Sequence, residues 1–208
     1  MGEYQPPFTS EDVQIEQERS LFQGFFQVKG LRLQHRRFAG GWTSPMEREL
    51  FVRDDATCVL PWDPVRRELV LIEQFRAGAL GRDQSPWLLE LVAGINEPGE
   101  TPQAVAHREA KEEADLTLQA LAPICQYLAS PGGSNELVHL FCARVDASTA
   151  GGLHGLAEEN EDIRVSVWSL EAALTALENG TINNAPAIIA LQWLALNEAA
   201  LAKRWGVP

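Results

Sequence analysis

The stretch GINEPGETPQAVAHREAKEEADL, residues 94–116, decides how this chain is to be read. It runs from a glycine turn into a helix start and then into Arg108, Glu109, Glu112 and Glu113. Thr101 is a good N-cap and Pro102 fits the first helical position, where its missing N–H costs nothing. Ala104, Val105 and Ala110 supply small apolar packing positions. Glu109, Glu112 and Glu113 stand at i, i+3 and i+4, so a helix from about 102 to 114 carries three carboxylates along one side. Like charges at i, i+4 cost a helix a few tenths of a kcal/mol. The cluster therefore needs compensation. Oxygen-only donors suit a hard divalent cation, Mg²⁺ or Mn²⁺. Arg108 reaches Glu112 at i+4 and would hold that carboxylate in place.

Composition bounds the rest. A chain of 208 residues supports one good core, or one core and a small accessory unit. Its 45% hydrophobic and 22% charged residues are those of a globular domain. The net charge of −12 argues against nucleic acid as a partner. Cys58, Cys125 and Cys142 lie in apolar runs without metal-ligand spacing and read as buried free thiols of a reducing cytoplasm. The opening MGEYQPPFTSED has no basic start and no apolar stretch of a signal peptide. No apolar run approaches the roughly 18 residues that span a bilayer.

Outward from the box, residues 1–11 read as a tail and 12–53 as strands with a thin core. VQIEQERSLFQ, GFFQVKGLRLQHRRF and MERELFVR alternate apolar with polar positions. From residue 54 the runs become those of buried strands: ATCVLPW, ELVLIEQF and PWLLELVAG before the box, PICQYLAS, ELVHLFCARV and IRVSVWS after it. Two helices follow. Ser169 caps LEAALTALENG, and Asn184 caps 185–205 with Ile188, Leu191, Ala195 and Leu201 on one stripe. Strands and helices mix without a βα repeat, which predicts an α+β fold. The domains expected are 1–53 and 54–208. The loop from Asp146 to Asp162 is long enough to be functional, and a glutamate on it could reach a metal-bound water.

The box resembles that of the Nudix hydrolases. That pattern is G, five residues, E, seven residues, RE, an apolar residue, any residue, EE, any residue, G and an apolar residue. Gly94, Glu100, Arg108, Glu109, Ala110, Glu112, Glu113 and Leu116 stand in register. Asp115 replaces the second glycine, whose role is a positive φ that closes the helix. Asp tolerates that region better than most residues. The order ELVLIEQFR, PWLLELVAG, LASPGGSNE and GLAEENEDIRV, with Pro131 fifteen residues past Leu116, is similar to that of the bacterial ADP-ribose pyrophosphatases of this family.

The resemblance implies an α/β/α sandwich with a mixed sheet, beside a small N-terminal antiparallel β domain. It implies hydrolysis of ADP-ribose to AMP and ribose 5-phosphate with two to three Mg²⁺ ions, Mn²⁺ being an alternative. Glu109, Glu113, Glu161 and the carbonyl of Ala93 would bind metal. Glu112 would be a ligand or would hold a ligand in place, Arg108 would order the cluster, and Glu159 would be the general base. Arg48 and Arg76 would contact the diphosphate or adjoining ribose, and Glu136 the terminal ribose. It further implies a homodimer in which residues 1–53 are exchanged, with Phe25, Phe26, Phe51 and Trp42 available to cover adenine. Two other readings stay open: a hydrolase of another nucleoside diphosphate sugar such as GDP-mannose, and a sensor that binds nucleotide without turnover.

Overall fold

A computed structural model describes residues 4–156 and 160–207. The chain divides into two compact units: Met1–Asp54 with Leu128–Glu136, and Asp55–Tyr127 with Leu137–Pro208.

The first unit is a three-stranded antiparallel sheet of β1 (Val13–Gln23), β2 (Gln27–His35) and β3 (Met46–Val52), in that order. Thr9 caps a short 3-10 turn, Ser10–Asp12, that leads into β1. Register shifts between Ile15 and Gln17 and between Ser20 and Phe22 mark bulges, which bend a strand and strengthen its twist. Gly30 is the only buried residue among the described residues of 4–54, so this sheet has almost no core of its own. Ion pairs decorate it instead, including Lys29–Glu18 at 2.8 Å and Arg32–Glu16 at 2.8 Å. The segment 128–136 is tied to it by Phe51 N–H on Gly133 O (2.8 Å) and by Arg53 and Asn135, which exchange two bonds.

The second unit is built on an eight-stranded mixed sheet. Its strands are β4 (Ala56–Asp63), β5 (Glu68–Phe75), β6 (Trp87–Glu90), β7 (Val92–Ile95), β8 (Ala120–Leu128), β9 (Leu137–Arg144), β10 (Gly152–His154) and β11 (Ile163–Ser169). The main path is β10-β11-β5-β4-β9-β8, with β4 and β9 parallel. PWLLELVAG, expected as one strand, is two. The chain breaks at Leu91, so β6 runs up β5 and β7 runs back down β4. This wedge fills the gap where β4 and β5, paired only at Trp62–Leu69 and Asp63–Glu68, part company.

Continuous apolar runs let the sheet bury both faces. Cys58, Leu60, Trp62, Leu69, Leu71, Leu140 and Cys142 face the helices α2 (Leu170–Glu178) and α3 (Ala185–Arg204). Their neighbours Val59, Val70, Ile72, Phe141 and Ala143 pack against Ala106, Ala110 and Ala114 of α1 (Pro102–Ala114). The α+β sandwich with a mixed sheet follows directly.

Ser169 and Asn184 cap α2 and α3 as expected, accepting from Ala172 and Ala187 N–H. On α3 the buried stripe is Ala187, Ala190, Leu191, Leu194 and Leu201; Ala195 is exposed, and Ile188 only half-buried. With 20 residues and a mean hydropathy of 1.3, α3 is long and apolar enough by composition to cross a membrane, contrary to the sequence expectation. Its buried stripe belongs to the core cluster beneath the sheet.

Candidate active site

Helix α1 is fixed at both ends by its own sequence. Thr101 Oγ1 accepts from Ala104 N–H at 3.2 Å. At the other end Asp115 takes φ 51° and ψ 33°, the left-handed turn that the substituted glycine position requires. Asp115 N–H bonds Lys111 O at 3.1 Å and Leu116 N–H bonds Ala110 O at 2.8 Å, a Schellman-type closure. Lys111 Nζ also bonds the Asp115 carboxylate. Val105, Ala106, Ala110 and Ala114 are buried, whereas Ala104 is exposed.

This seating rolls the three carboxylates into different surroundings. Glu113 is 3% exposed and accepts from Ala93 N–H of β7 at 2.9 Å. Glu109 lies over Gly94, so tightly that a Cβ there would sit 1.6 Å from its Oε1. The glycine is needed for this close approach. Glu112 is the most open of the three. Arg108 gathers them: its Nη1 donates to Glu109 (2.6 Å) and Glu112 (3.2 Å), and its Nε and Nη2 fork onto Glu100 (3.2 and 3.1 Å). Nη2 also reaches Ile95 O at 3.3 Å. The sequence foresaw only the Glu112 contact; those to Glu100 and Ile95 depend on how the preceding segment folds back, and adjacent helix residues such as Arg108 and Glu109 do not ordinarily face each other.

Burial pushes Glu113 up from its ordinary 4.5 to about 8, against the Ala93 N–H bond, with the charges of Glu109 and Glu161 adding to the rise. Burial likewise raises Glu109 to about 7, while Arg108 pulls it down. At neutral pH both carboxylates need positive charge beside them to stay ionised. Among the described residues, no group of three or more His, Cys, Asp or Glu side chains is already arranged to hold a metal ion. The donor chemistry fits one all the same. The buried Glu113 and half-buried Glu109, both raised first by desolvation and further by the charge of Glu161, form an all-oxygen set suited to a hard divalent cation.

The other expected site residues are placed as follows. Glu161 is half-buried; it exchanges two bonds with Leu156, whose N–H donates to Glu161 Oε2 at 3.3 Å. Arg76 pairs with Glu90 at 2.8 Å, and its charge counters the rise at Glu113. Glu159 lies outside the described residues. In the N-terminal unit, Arg48 donates to Glu47 O (2.8 Å) and Glu136 pairs with Arg53 at 3.1 Å. Phe25 is 89% exposed and packs edge-on against Phe26, which meets Phe51 in turn. Trp42 carries Arg36 over its ring. Sequence reasoning missed Glu90, the partner of Arg76. Its signal was an acid set among the apolar residues of WLLELV.

Comparison with known proteins identifies the family. The NUDIX domain family model matches residues 52–191. The chain is 48% identical over 198 residues to a protein of Escherichia coli (strain K12) named ADP-ribose pyrophosphatase, covering 95% of each. It is 28% identical to a GDP-mannose pyrophosphatase of Cronobacter sakazakii, over 89% of this chain and 96% of that one. A solved structure described as an ADP compounds hydrolase shares the fold with a TM-score of 0.69, at 21% identity and over 96% of this chain and 98% of that one. With the box in register, its glycine pressed against Glu109 and the domain matched from before β4 into α3, the chain belongs to the Nudix family.

Proposed function

We propose that the chain hydrolyses the diphosphate bond of ADP-ribose, giving AMP and ribose 5-phosphate. The observation that carries the chemistry is the acidic face of α1, where Glu113 is buried against the Ala93 N–H and the half-buried Glu109 is pressed over Gly94. The substrate rests on the similarity to the pyrophosphatase of E. coli.

In this reading Glu109, Glu113, Glu161 and the Ala93 carbonyl hold two to three Mg²⁺ ions, with Mn²⁺ able to substitute. Such ions neutralise the diphosphate and lower the pKa of a bound water. Arg108 orders the cluster and keeps Glu112 and Glu100 at its rim. Glu159 takes the proton of the attacking water. Arg76 and Arg48 bind the diphosphate or adjoining ribose, Glu136 the terminal ribose, and Phe25 covers the adenine.

Residues 1–53 act as an exchanged arm of a homodimer in a cytoplasmic enzyme. Supporting this, all eleven residues of β1 are exposed on the single chain, Ile15 by 57% and Phe22 by 59%. Val13, Ile15, Leu21 and Phe22, bare on a strand that is otherwise polar, are expected to be covered by a partner. A sedimentation run that finds an active monomer contradicts the arm.

A second reading, a hydrolase of another sugar nucleotide, draws on the similarity to a GDP-mannose pyrophosphatase. Product analysis with ADP-ribose, GDP-mannose and ADP-glucose in Mg²⁺ separates the two. AMP and ribose 5-phosphate from ADP-ribose, ahead of the others and abolished by EDTA, are expected. Preference for GDP-mannose changes the substrate and keeps the chemistry. Binding without cleavage makes the chain a sensor.

A further inference from the structure

Gln74 follows the apolar run of β5. It is 7% exposed, yet among the described residues its Nε2 has no hydrogen-bond partner. A buried amide donor left unpaired is costly and calls for an explanation.

Its place is set by register. Val70 and Ile72 belong to the cluster beneath α1, and alternation puts Gln74 on the same face. Extending the β4–β5 register from Trp62–Leu69 sets Gln74 level with Thr57, the residue paired with Gly94. Only the wedge strands β6 and β7 stand between them at that level. On its other side, extending the Glu73–Arg164 pair sets Gln74 opposite Ile163, two residues after Glu161. Gln74 thus lies between Gly94, which underlies Glu109, and the strand entry that carries Glu161. Arg76 follows two residues later on the same strand direction, and its charge is felt at Glu113.

We infer that Gln74 is a substrate-binding residue whose free amide N–H donates to an anionic oxygen of a nucleoside diphosphate. This rests on the diphosphatase reading above. A neutral donor suits this position. A second cation beside Arg76 would pair with the carboxylates, whereas an amide leaves them ionised for metal and still offers a proton to a phosphate oxygen. The unpaired donor is then a group whose partner arrives with the substrate.

The test is Gln74→Met, which keeps the volume and removes the donor. Thermal unfolding, steady-state turnover of ADP-ribose in Mg²⁺ and titration with ADP in EDTA are measured on the full chain. We expect an unchanged or higher Tm, a kcat/KM lower by roughly 10- to 100-fold, and weaker ADP binding. Unchanged kcat/KM and ADP affinity overturn the inference. So does a loss of activity that comes with a Tm drop of several degrees, because the amide is then structural. Gln74→Asn, a shorter amide, is expected to recover part of the ADP affinity; recovery no better than Met also counts against a donor role. If the natural chain leaves ADP-ribose intact, the diphosphatase reading fails on its own, and ADP titration still reports on Gln74.

Discussion

Glu113→Gln is expected to stabilise the protein in EDTA and to abolish its turnover. Glu113 is 3% exposed, and burial lifts its pKa from 4.5 to about 8. One pKa unit is about 1.4 kcal/mol, so ionising this group in the fold costs on the order of 5 kcal/mol relative to the unfolded chain. The folded protein holds the proton more tightly than the unfolded one. The stability from a neutral Glu113 is fully present below pH 4.5, falls as pH rises, and is gone above about 8. Glutamine resembles the protonated acid and keeps an oxygen for the Ala93 N–H now 2.9 Å away. In EDTA at pH 8.5 the variant is expected to gain about 3–5 kcal/mol, roughly 10 °C in Tm for a chain of this size. At pH 4.5 the difference shrinks towards zero. Mg²⁺ raises the Tm of the natural chain and not that of the variant, while kcat falls by roughly 10³-fold or more. Scanning calorimetry across pH, with and without Mg²⁺, reads all of this. A variant less stable than the natural chain at pH 8.5 in EDTA, or a Tm difference flat with pH, refutes the argument.

Gly94→Ala places a Cβ 1.6 Å from Glu109 Oε1, so Glu109 must move; kcat/KM is expected to fall about 100-fold with the helix intact by circular dichroism. Arg108→Met removes the guanidinium that pulls Glu109 down, so its pKa rises further above about 7. Because a ligand must be deprotonated to bind metal, half-saturating Mg²⁺ at pH 7 is expected to rise and to recover towards pH 9; the same deficit at both pH values contradicts this. Asp115→Gly relieves a positive φ and removes only an exposed pair with Lys111. A gain of about 0.5–1 kcal/mol in thermal unfolding is expected, and a lower Tm counts against it.

The box could be read from sequence because its information is local. A cap at Thr101, three acids on one side and a closing residue with positive φ all lie within one helix and its flanking turns, and each is found in place. Asp115 shows how far such reading goes: the conformation, not the glycine, is what the position demands. What could not be read depends on pairing across the sheet. PWLLELVAG is uniformly apolar, so nothing in it marks the reversal at Leu91, which exists because β4 and β5 diverge. On α3 the buried stripe takes in Ala187, Ala190 and Leu194 beside the expected Leu191 and Leu201, because alanines and leucines recur all round this helix and leave its buried face to be set by packing. Gln74 was passed over because a polar residue ending a strand is ordinary. Only its burial opposite Leu88 makes its unpaired donor conspicuous.

The helix face separates two roles that the sequence pattern leaves merged. Side-chain exposure climbs from Glu113, through Glu109 at 13%, to Glu112 at 34%. The two most buried acids are the two lifted towards and above neutrality, and they are the pair whose ionisation a cation would favour. Glu112, with Glu100, instead meets Arg108 at the rim, where solvent already softens charge. Arg108 also touches Glu109 at 2.6 Å, so it bridges the two sets. A chain with a net charge of −12 cannot supply many lysines to a phosphate site without giving up that balance. One arginine that holds Glu109 together with Glu100 and Glu112 neutralises from within the fold the carboxylate that a bound cation would also neutralise. For that reason Arg108→Met is expected to disturb metal binding more than stability.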